Sequence, residues 1–191
     1  MKIILASSST YRKNLLSKII TDFECVSPDI DESQHQNETF TALAKRLAIE
    51  KAQTIAKQFP NALIIGSDQV ACLGSEQLCK PQTKTNTIQQ LLNCQDKTAY
   101  FYTSICLLNS KTGNIQSSVE CYETKFRNLN KQQITQYVER EPACDCAGGF
   151  KMEGLGIALF EKISGEDPNI LIGLPMIRLV SMLASEGYHV L

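Results

Sequence analysis

The chain has 191 residues, 43% hydrophobic and 20% charged, which suits a soluble globular protein of one domain or one bilobed unit with a substantial core. A formal net charge of -1 excludes the basic footprint of a protein that holds a nucleic acid polymer, although 19 lysines and arginines leave room for a local anion pocket. No apolar run approaches the ~20 residues of a membrane span, and the opening MKIILA is too short for a signal-peptide core, so no membrane partner and a cytoplasmic location are expected.

Lys2–Ala6 reads as a short buried strand. Ser7, Ser8, Ser9 and Thr10 follow, leading into a helical pattern through Leu15, Leu16, Ile19 and Ile20. Hydroxyls at a strand-to-helix junction cap the free N–H groups of the first turn. The same junction, followed by Arg12 and Lys13, also suits a phosphate, because N–H groups and the helix dipole both favour an anion. There is no G-x-x-x-x-G-K-[ST] and no G-x-G-x-x-G, which excludes the P-loop and the dinucleotide fingerprint. Phe23–Ser27 reads as a second strand, ending in Pro28 and the acidic turn Asp29-Ile30-Asp31-Glu32. Such a loop is ordinarily just solvated; in a chain that binds phosphate it can also hold a divalent cation.

A long helix is expected over Thr41–Phe59. Its apolar row runs Leu43, Leu47, position 51, Ile55 and Phe59, with Ala44, Ala48 and Ala52 beside it. Position 51 is a lysine, and long charged side chains are rarely buried without a partner. Either Lys51 snorkels to the edge of the stripe, or its ammonium reaches through the helix face toward negative charge. The second reading is preferred.

The stretch Ala62–Leu73, ALIIGSDQVACL, reads as a strand buried on both faces. Its polar insert Ser67-Asp68-Gln69 is out of place, because a carboxylate in an apolar environment is costly unless paired or bound to metal. Asp68 marks either a turn or a site, and strand-like sequence on both sides favours a site.

After the turn Gly74–Gln77, Pro81 leaves Lys80 in an extended position. A helix over Thr83–Cys94 follows, then a hairpin of Thr98–Leu108 and Ile115–Phe126 across Asn109–Asn114. Asn130 caps a helix through Ile134, Tyr137 and Val138; Pro142–Gly156 reads as an ordered loop, and Gly156–Ile163 as a strand. The last helix starts at Pro175 and stops before Gly187. The eight cysteines include no C-x-x-C pair and read as reduced thiols, with Cys144 and Cys146 as the one close pair. With only His35 and His189 present, a His-rich zinc site is excluded and a Ser-His-Asp triad disfavoured. Hydrolytic chemistry here would come from carboxylates, lysines and a hard metal ion held through oxygen.

LASSSTYRKNLL at 5–16, DE at 31–32, RLAIEKA at 46–52, IIGSDQV at 64–70, KP at 80–81, FRNL at 126–129, AGGFKMEGLG at 147–156 and GLP at 173–175 resemble the Maf family of nucleoside triphosphate pyrophosphatases. The resemblance spans nearly the whole chain, 1–191, as a single domain. It implies an α/β fold related to the inosine triphosphate pyrophosphatases, a mixed twisted sheet with flanking helices in two lobes around a central cleft. It also implies cleavage between the α- and β-phosphates of a nucleotide with a divalent cation, Mg or Mn.

Asp68-Gln69, Tyr11 and the FKMEGLG segment with Glu153 are similar to the 7-methyl-GTP branch of that family, whereas the pyrimidine branch has Asp-Thr at the central strand and an Arg in the first loop. Thr10 and Lys13 depart from the usual Pro and Arg of the first loop, and Lys lacks the bidentate fork of Arg. An aromatic face such as Tyr11 attracts the positive ring of 7-methylguanine, and Glu153 can accept hydrogen bonds from the guanine edge. The resemblance makes Asp68 the proton acceptor for the attacking water or a metal ligand, and Glu32 a metal ligand or second carboxylate. Ser7, Arg12, Lys13, Lys51 and Lys80 would neutralise the triphosphate. The alternatives are a pyrimidine (dTTP or UTP) pyrophosphatase of the same fold and a non-catalytic nucleotide-binding regulator of cell division. The expected partners are a small nucleotide and, as an open option, a second copy of the chain in a homodimer.

Overall fold

The computed structural model describes residues 1–191. In chain order the elements are β1 (Lys2–Leu5), α1 (Thr10–Leu16), β2 (Glu24–Cys25), α2 (Phe40–Ala56), β3 (Ala62–Leu73), β4 (Glu76–Gln77), α3 (Lys84–Asn93), β5 (Thr98–Asn109), β6 (Asn114–Phe126), α4 (Lys131–Arg140), β7 (Phe160–Ser164) and α5 (Met176–Ser185). The strands form one mixed sheet in the order β2-β1-β3-β5-β6-β7, with β4 on β3. β1 pairs parallel with β2 and with β3, placing Leu5 opposite both Cys25 and Ile65. Parallel neighbours need crossover connections, and α1 and α2 supply them. β4 and β7 pair antiparallel, on β3 and β6 respectively.

The chain divides into two compact units. The first holds Met1–Gln69, Thr103–Glu120 and Gly173–Leu191; the second holds Val70–Tyr102 and Cys121–Ile172. In the first unit the core joins Ile4 and Ala6 of β1 and its extension, Ala48, Ala52 and Ile55 of α2, Ala62 and Ile64 of β3, and Cys106 and Leu108 of β5. The small residues there are not filler. A Cβ on Gly66 would lie 2.1 Å from the Ala48 carbonyl oxygen, so α2 rests against β3 with no space between them. That closeness decides where Lys51 can reach.

The core of the second unit is aromatic. Phe101, Phe126, Phe150 and Phe160 meet edge to face, with Phe126–Phe160 and Phe150–Phe160 centroids each 4.8 Å apart. Gly148 takes φ 80°, and a Cβ there would lie 2.9 Å from Phe150 and 3.0 Å from Phe101. The AGGF run is therefore what lets the chain turn while Phe150 enters the core.

The expected elements are present with adjustments: α1 stops at Leu16, short of Ile19 and Ile20, and Glu76–Gln77 of the expected turn pairs with β3 as β4. α2 starts at Phe40 and ends at Ala56 rather than running to Phe59. The second strand shrinks to Glu24–Cys25. Pro175 precedes α5 as its N-cap residue and not its first helical one, with ψ 92°. The expected strand Gly156–Ile163 is a 3-10 turn over Leu155–Leu159 followed by β7. A Cβ on Gly156 would lie 2.3 Å from the Lys151 carbonyl oxygen, so the chain curls back on itself there. All eight cysteines are free thiols, with Cys72, Cys94 and Cys106 buried.

Candidate active site

β3 is buried along almost its whole length, Asp68 included, at 7% exposure. An ionised carboxylate at such a place needs a partner, and α2 provides one. Lys51, 5% exposed, lies on the α2 face pressed against β3, and its Nζ stands 2.6 Å from Asp68 Oδ1. The lysine in the apolar stripe thus reaches inward and does not snorkel. Glu32, from the acidic loop, brings Oε1 to 2.6 Å from the same Nζ, with its own side chain 60% exposed. Two carboxylates therefore share one ammonium, leaving the trio one negative charge in excess.

A seam of hydroxyls and carbonyls holds Asp68 in place. Its backbone N–H donates to Ser104 Oγ at 3.2 Å, and Ser104 Oγ stands 2.6 Å from the Ala44 carbonyl of α2. Ser67 Oγ lies 2.7 Å from the Ser104 carbonyl and 2.9 Å from that of Gly173, so one proton serves two acceptors. The Gly173 carbonyl also accepts from Arg12 Nε at 2.8 Å. Gly173 has φ 110°, and a Cβ there would sit 3.4 Å from Arg12 Nε. A side chain at 173 would strain the backbone, while its Cβ would meet the guanidinium at ordinary contact distance.

Arg12 Nη1 lies 3.5 Å from the buried Ser7 Oγ, which accepts the Ser9 N–H at 3.1 Å. Burial pulls the Arg12 guanidinium below its ordinary value, opposed by the charges of Asp68 and Glu32, which push it back up. Ser9 Oγ caps α1 by accepting the Arg12 N–H, so the capping reading of the hydroxyl run holds for Ser9. Arg12 instead feels the charges of Asp68 and Glu32, with Ser7 against its guanidinium.

The first unit thus brings together Glu32, Lys51, Asp68, Arg12 and Ser7. Gln69 Nε2 donates to Thr103 Oγ1 at 3.0 Å. Tyr11 is half-buried and Lys13 exposed, both on α1. Lys80 and Glu153 belong to the second unit and are exposed. There, Pro81 is buried and its carbonyl accepts from Asn86 Nδ2 at 3.0 Å, which fixes the turn after Lys80. The loop carrying Glu153 is fastened to the end of α4. Gly156 N–H donates to Glu141 Oε2 at 3.1 Å and Lys151 N–H donates to Tyr137 Oη at 3.2 Å. Burial raises the Tyr137 phenol above its ordinary value, so it stays protonated.

The roles of three residues in this arrangement, Ser104, Gly173 and Glu141, are not assigned by the sequence pattern. Ser104 and Gly173 act through a hydroxyl and a carbonyl that no spacing marks, and Glu141 sits just before Pro142 with nothing to distinguish it from a surface charge. The GLP run was the available signal for Gly173.

Oxygen donors for a hard cation are present, but few. No group of three or more His, Cys, Asp or Glu side chains forms a ligand cluster. Asp68 and Glu32 converge on one ammonium, so the pair already accommodates a compact positive charge between two carboxylates. Magnesium is commonly bound through one or two carboxylates, with water and substrate phosphate completing its shell. The donor set fits that habit.

Comparisons with known proteins bear on the whole chain. A family described as Maf-like protein matches residues 2–186. The chain is 50% identical over 185 residues to the 7-methyl-GTP pyrophosphatase of Alcanivorax borkumensis, covering 97% of this chain and 94% of that protein. It is 49% identical over 187 residues to the protein of the same name in Pseudomonas fluorescens, covering 98% and 97%. It is 47% identical over 189 residues to the one in Nitrosococcus oceani, covering 99% and 95%. Among solved structures, the Staphylococcus aureus Ham1 protein superposes with a TM-score of 0.50 at 17% identity, covering 67% of this chain and 73% of that one, a likeness of fold.

Proposed function

The chain belongs to the Maf family, and from that membership we propose that it is a nucleoside triphosphate pyrophosphatase acting on 7-methyl-GTP. Water attacks the α-phosphorus, the bond to the bridging oxygen breaks, and 7-methyl-GMP and pyrophosphate leave. The observation that carries this reading is the buried Asp68 carboxylate, held on Lys51 with Glu32 beside it. Asp68 takes the proton of the attacking water. Lys51 pairs with that carboxylate and orients it, and Arg12 and Ser7 meet phosphate oxygens. Lys13 and Lys80 add charge against the triphosphate, which carries most of the catalytic demand in phosphoryl chemistry.

A divalent cation, Mg or Mn, would be held by Glu32 and Asp68 and would neutralise charge on the phosphate oxygens. Tyr11, Gln69 and Glu153 are assigned the choice of base: Tyr11 by attraction of its ring face for the cationic 7-methylguanine, Glu153 by accepting from the guanine edge. We read the protein as a cytoplasmic enzyme of the nucleotide pool that works as one domain over 1–191, alone or as a homodimer. No helix is long and apolar enough to cross a membrane.

The test is hydrolysis of 7-methyl-GTP, GTP, UTP and dTTP with identification of both products. The expected result is the highest kcat/KM on 7-methyl-GTP, with pyrophosphate released. A higher kcat/KM on UTP or dTTP overturns the substrate, and release of orthophosphate overturns the bond cleaved.

A further inference from the structure

Glu32 raises a physical problem. It lies in a segment with neither helix nor strand, between β2 and α2, and its side chain is 60% exposed, yet it meets Lys51 at 2.6 Å. An ion pair with one partner so exposed is screened by water, and holding two long side chains in one geometry costs entropy. The pair cannot by itself hold the loop in place. Something else delivers Glu32.

We propose that Arg46 is the positioning residue for Glu32, fastening the 31–38 loop to α2 so that the Glu32 carboxylate stays on Lys51 beside Asp68. The inference rests on the reading of Glu32 as part of the hydrolytic machinery. The Arg46 guanidinium grips Glu38 with both prongs, Nε to Oε1 at 2.7 Å and Nη2 to Oε2 at 2.9 Å. Its Nη2 also donates to the Ser33 carbonyl at 2.9 Å, which fixes the backbone immediately after Glu32. Its third nitrogen, Nη1, is steadied by Glu50 one turn along the helix, at 3.1 Å.

The loop is braced on the same points. Glu38 Oε2 accepts the His35 N–H at 3.0 Å, and Asp31 Oδ1 accepts the Ser33 N–H at 2.9 Å. Asn37 takes φ 61°, a left-handed conformation that asparagine tolerates better than most residues. The turn is thus braced within itself, and Arg46 grips it at both Glu38 and the Ser33 carbonyl. Arg46 and Lys51 stand on one helix, so the tether and the ammonium that receives Glu32 move together. Lysine could not replace the arginine, because a single ammonium lacks the fork that spans Glu38 and the Ser33 carbonyl.

The experiment uses Arg46→Ala, Arg46→Lys, Glu32→Gln and the Arg46→Ala/Glu32→Gln double variant of the full chain. Amide hydrogen exchange is read over 31–38 without nucleotide, and kcat and KM are read on 7-methyl-GTP. Arg46→Ala is expected to speed exchange in 31–38 at least tenfold while β3 stays protected, and to lower kcat at least tenfold. Arg46→Lys restores only part of both. In the Glu32→Gln background, Arg46→Ala should change kcat less than twofold, because its effect passes through the carboxylate already removed. Unchanged exchange, or losses that multiply in the double variant, overturns the proposal. Should Glu32→Gln alone keep the wild-type kcat, the assigned role of Glu32 falls, and the exchange result still decides whether Arg46 holds the loop. If Arg46→Ala does not fold, Glu38→Gln weakens the same fork from the loop side and is held to the same outcomes.

Discussion

The two units solve the problem of an interior differently. The first threads a polar seam through its core: Ser67, Asp68, Ser104 and Lys51 are all buried, and each is matched by a hydroxyl, a carbonyl or an opposite charge. The second packs four phenylalanines edge to face; its buried polar side chains, Thr87, Thr124 and Asp167, are bonded to nearby carbonyls or, for Asp167, to Asn169, and none is a lysine. A buried ion pair is weak support for stability, since desolvation offsets most of its attraction. An aromatic cluster has no such offset. On the proposed reading, the first interior serves chemistry and the second cohesion.

The strongest way to break that contrast is Asp68→Asn. Turnover should fall at least a hundredfold, in keeping with the loss of a general base, while the melting temperature stays within a few degrees. An Asn variant keeping more than a tenth of wild-type kcat, a loss under ~1.4 kcal/mol, contradicts the assignment. The complementary change is Phe126→Ala. It should destabilise by ~3–5 kcal/mol, as large-to-alanine changes in tight cores do, and leave kcat per folded molecule within a few-fold. A collapse of kcat in a variant shown to be folded would remove the division of labour.

Lys51 sharpens the contrast further. Lys51→Met leaves Asp68 buried without its ammonium, at the lower end of the ~3–5 kcal/mol seen for broken buried pairs, because Glu32 and part of Asp68 remain wet. The Lys51→Met/Asp68→Leu variant should recover most of that stability and none of the activity, with thermal melts and product release measured on the same samples. If Lys51→Met melts like wild type, the seam carries no strain of this kind.

The same contrast explains what could be read in advance. Asp68 stood out because a polar insert interrupts a run otherwise apolar, and Lys51 because a charge falls on a helical stripe of period four. Both are local irregularities. Their meeting with Glu32 depends on how closely α2 approaches β3, and that is set by Gly66 against the Ala48 carbonyl, a pairing 18 residues apart with no local signature. A short apolar run looks alike in either period, so the 155–159 turn reads as strand in the sequence. The curl comes from Gly156 against the Lys151 carbonyl, a backbone contact invisible to side-chain pattern.

Two smaller effects test the loops that each unit presents. Tyr137→Phe removes the oxygen that accepts the Lys151 N–H, at ~0.5–1.5 kcal/mol, and should raise KM for 7-methyl-GTP more than it lowers kcat. Equal changes in KM for all four nucleotides would detach this loop from base choice. In the first unit, the hydrogen bonds from Arg46 hold the Glu38 carboxyl down to about 2, against an ordinary value of 4.5. A carboxyl depressed on folding stabilises fully above its unfolded value and loses that contribution as pH falls through the folded one. Protection in 31–38, taken as the observed exchange rate relative to the intrinsic rate at each pH, should therefore be constant above pH ~5 and be lost progressively toward pH 2.

The Gly173 carbonyl has a bearing on how the protein is made. It accepts from Arg12, 161 residues earlier, and lies within reach of the Ser67 hydroxyl, 106 residues earlier. A ribosome adding ~5–20 residues per second makes Arg12 roughly 10–30 s before its acceptor exists. Throughout that interval a cation and a strand hydroxyl meant for one carbonyl are without it, and the first unit waits while the whole of the second is synthesised. Assembly of the nascent chain is thus ordered by the loop ahead of α5: the aromatic interior can close first, and the one holding Asp68 and Lys51 only when Gly173 emerges.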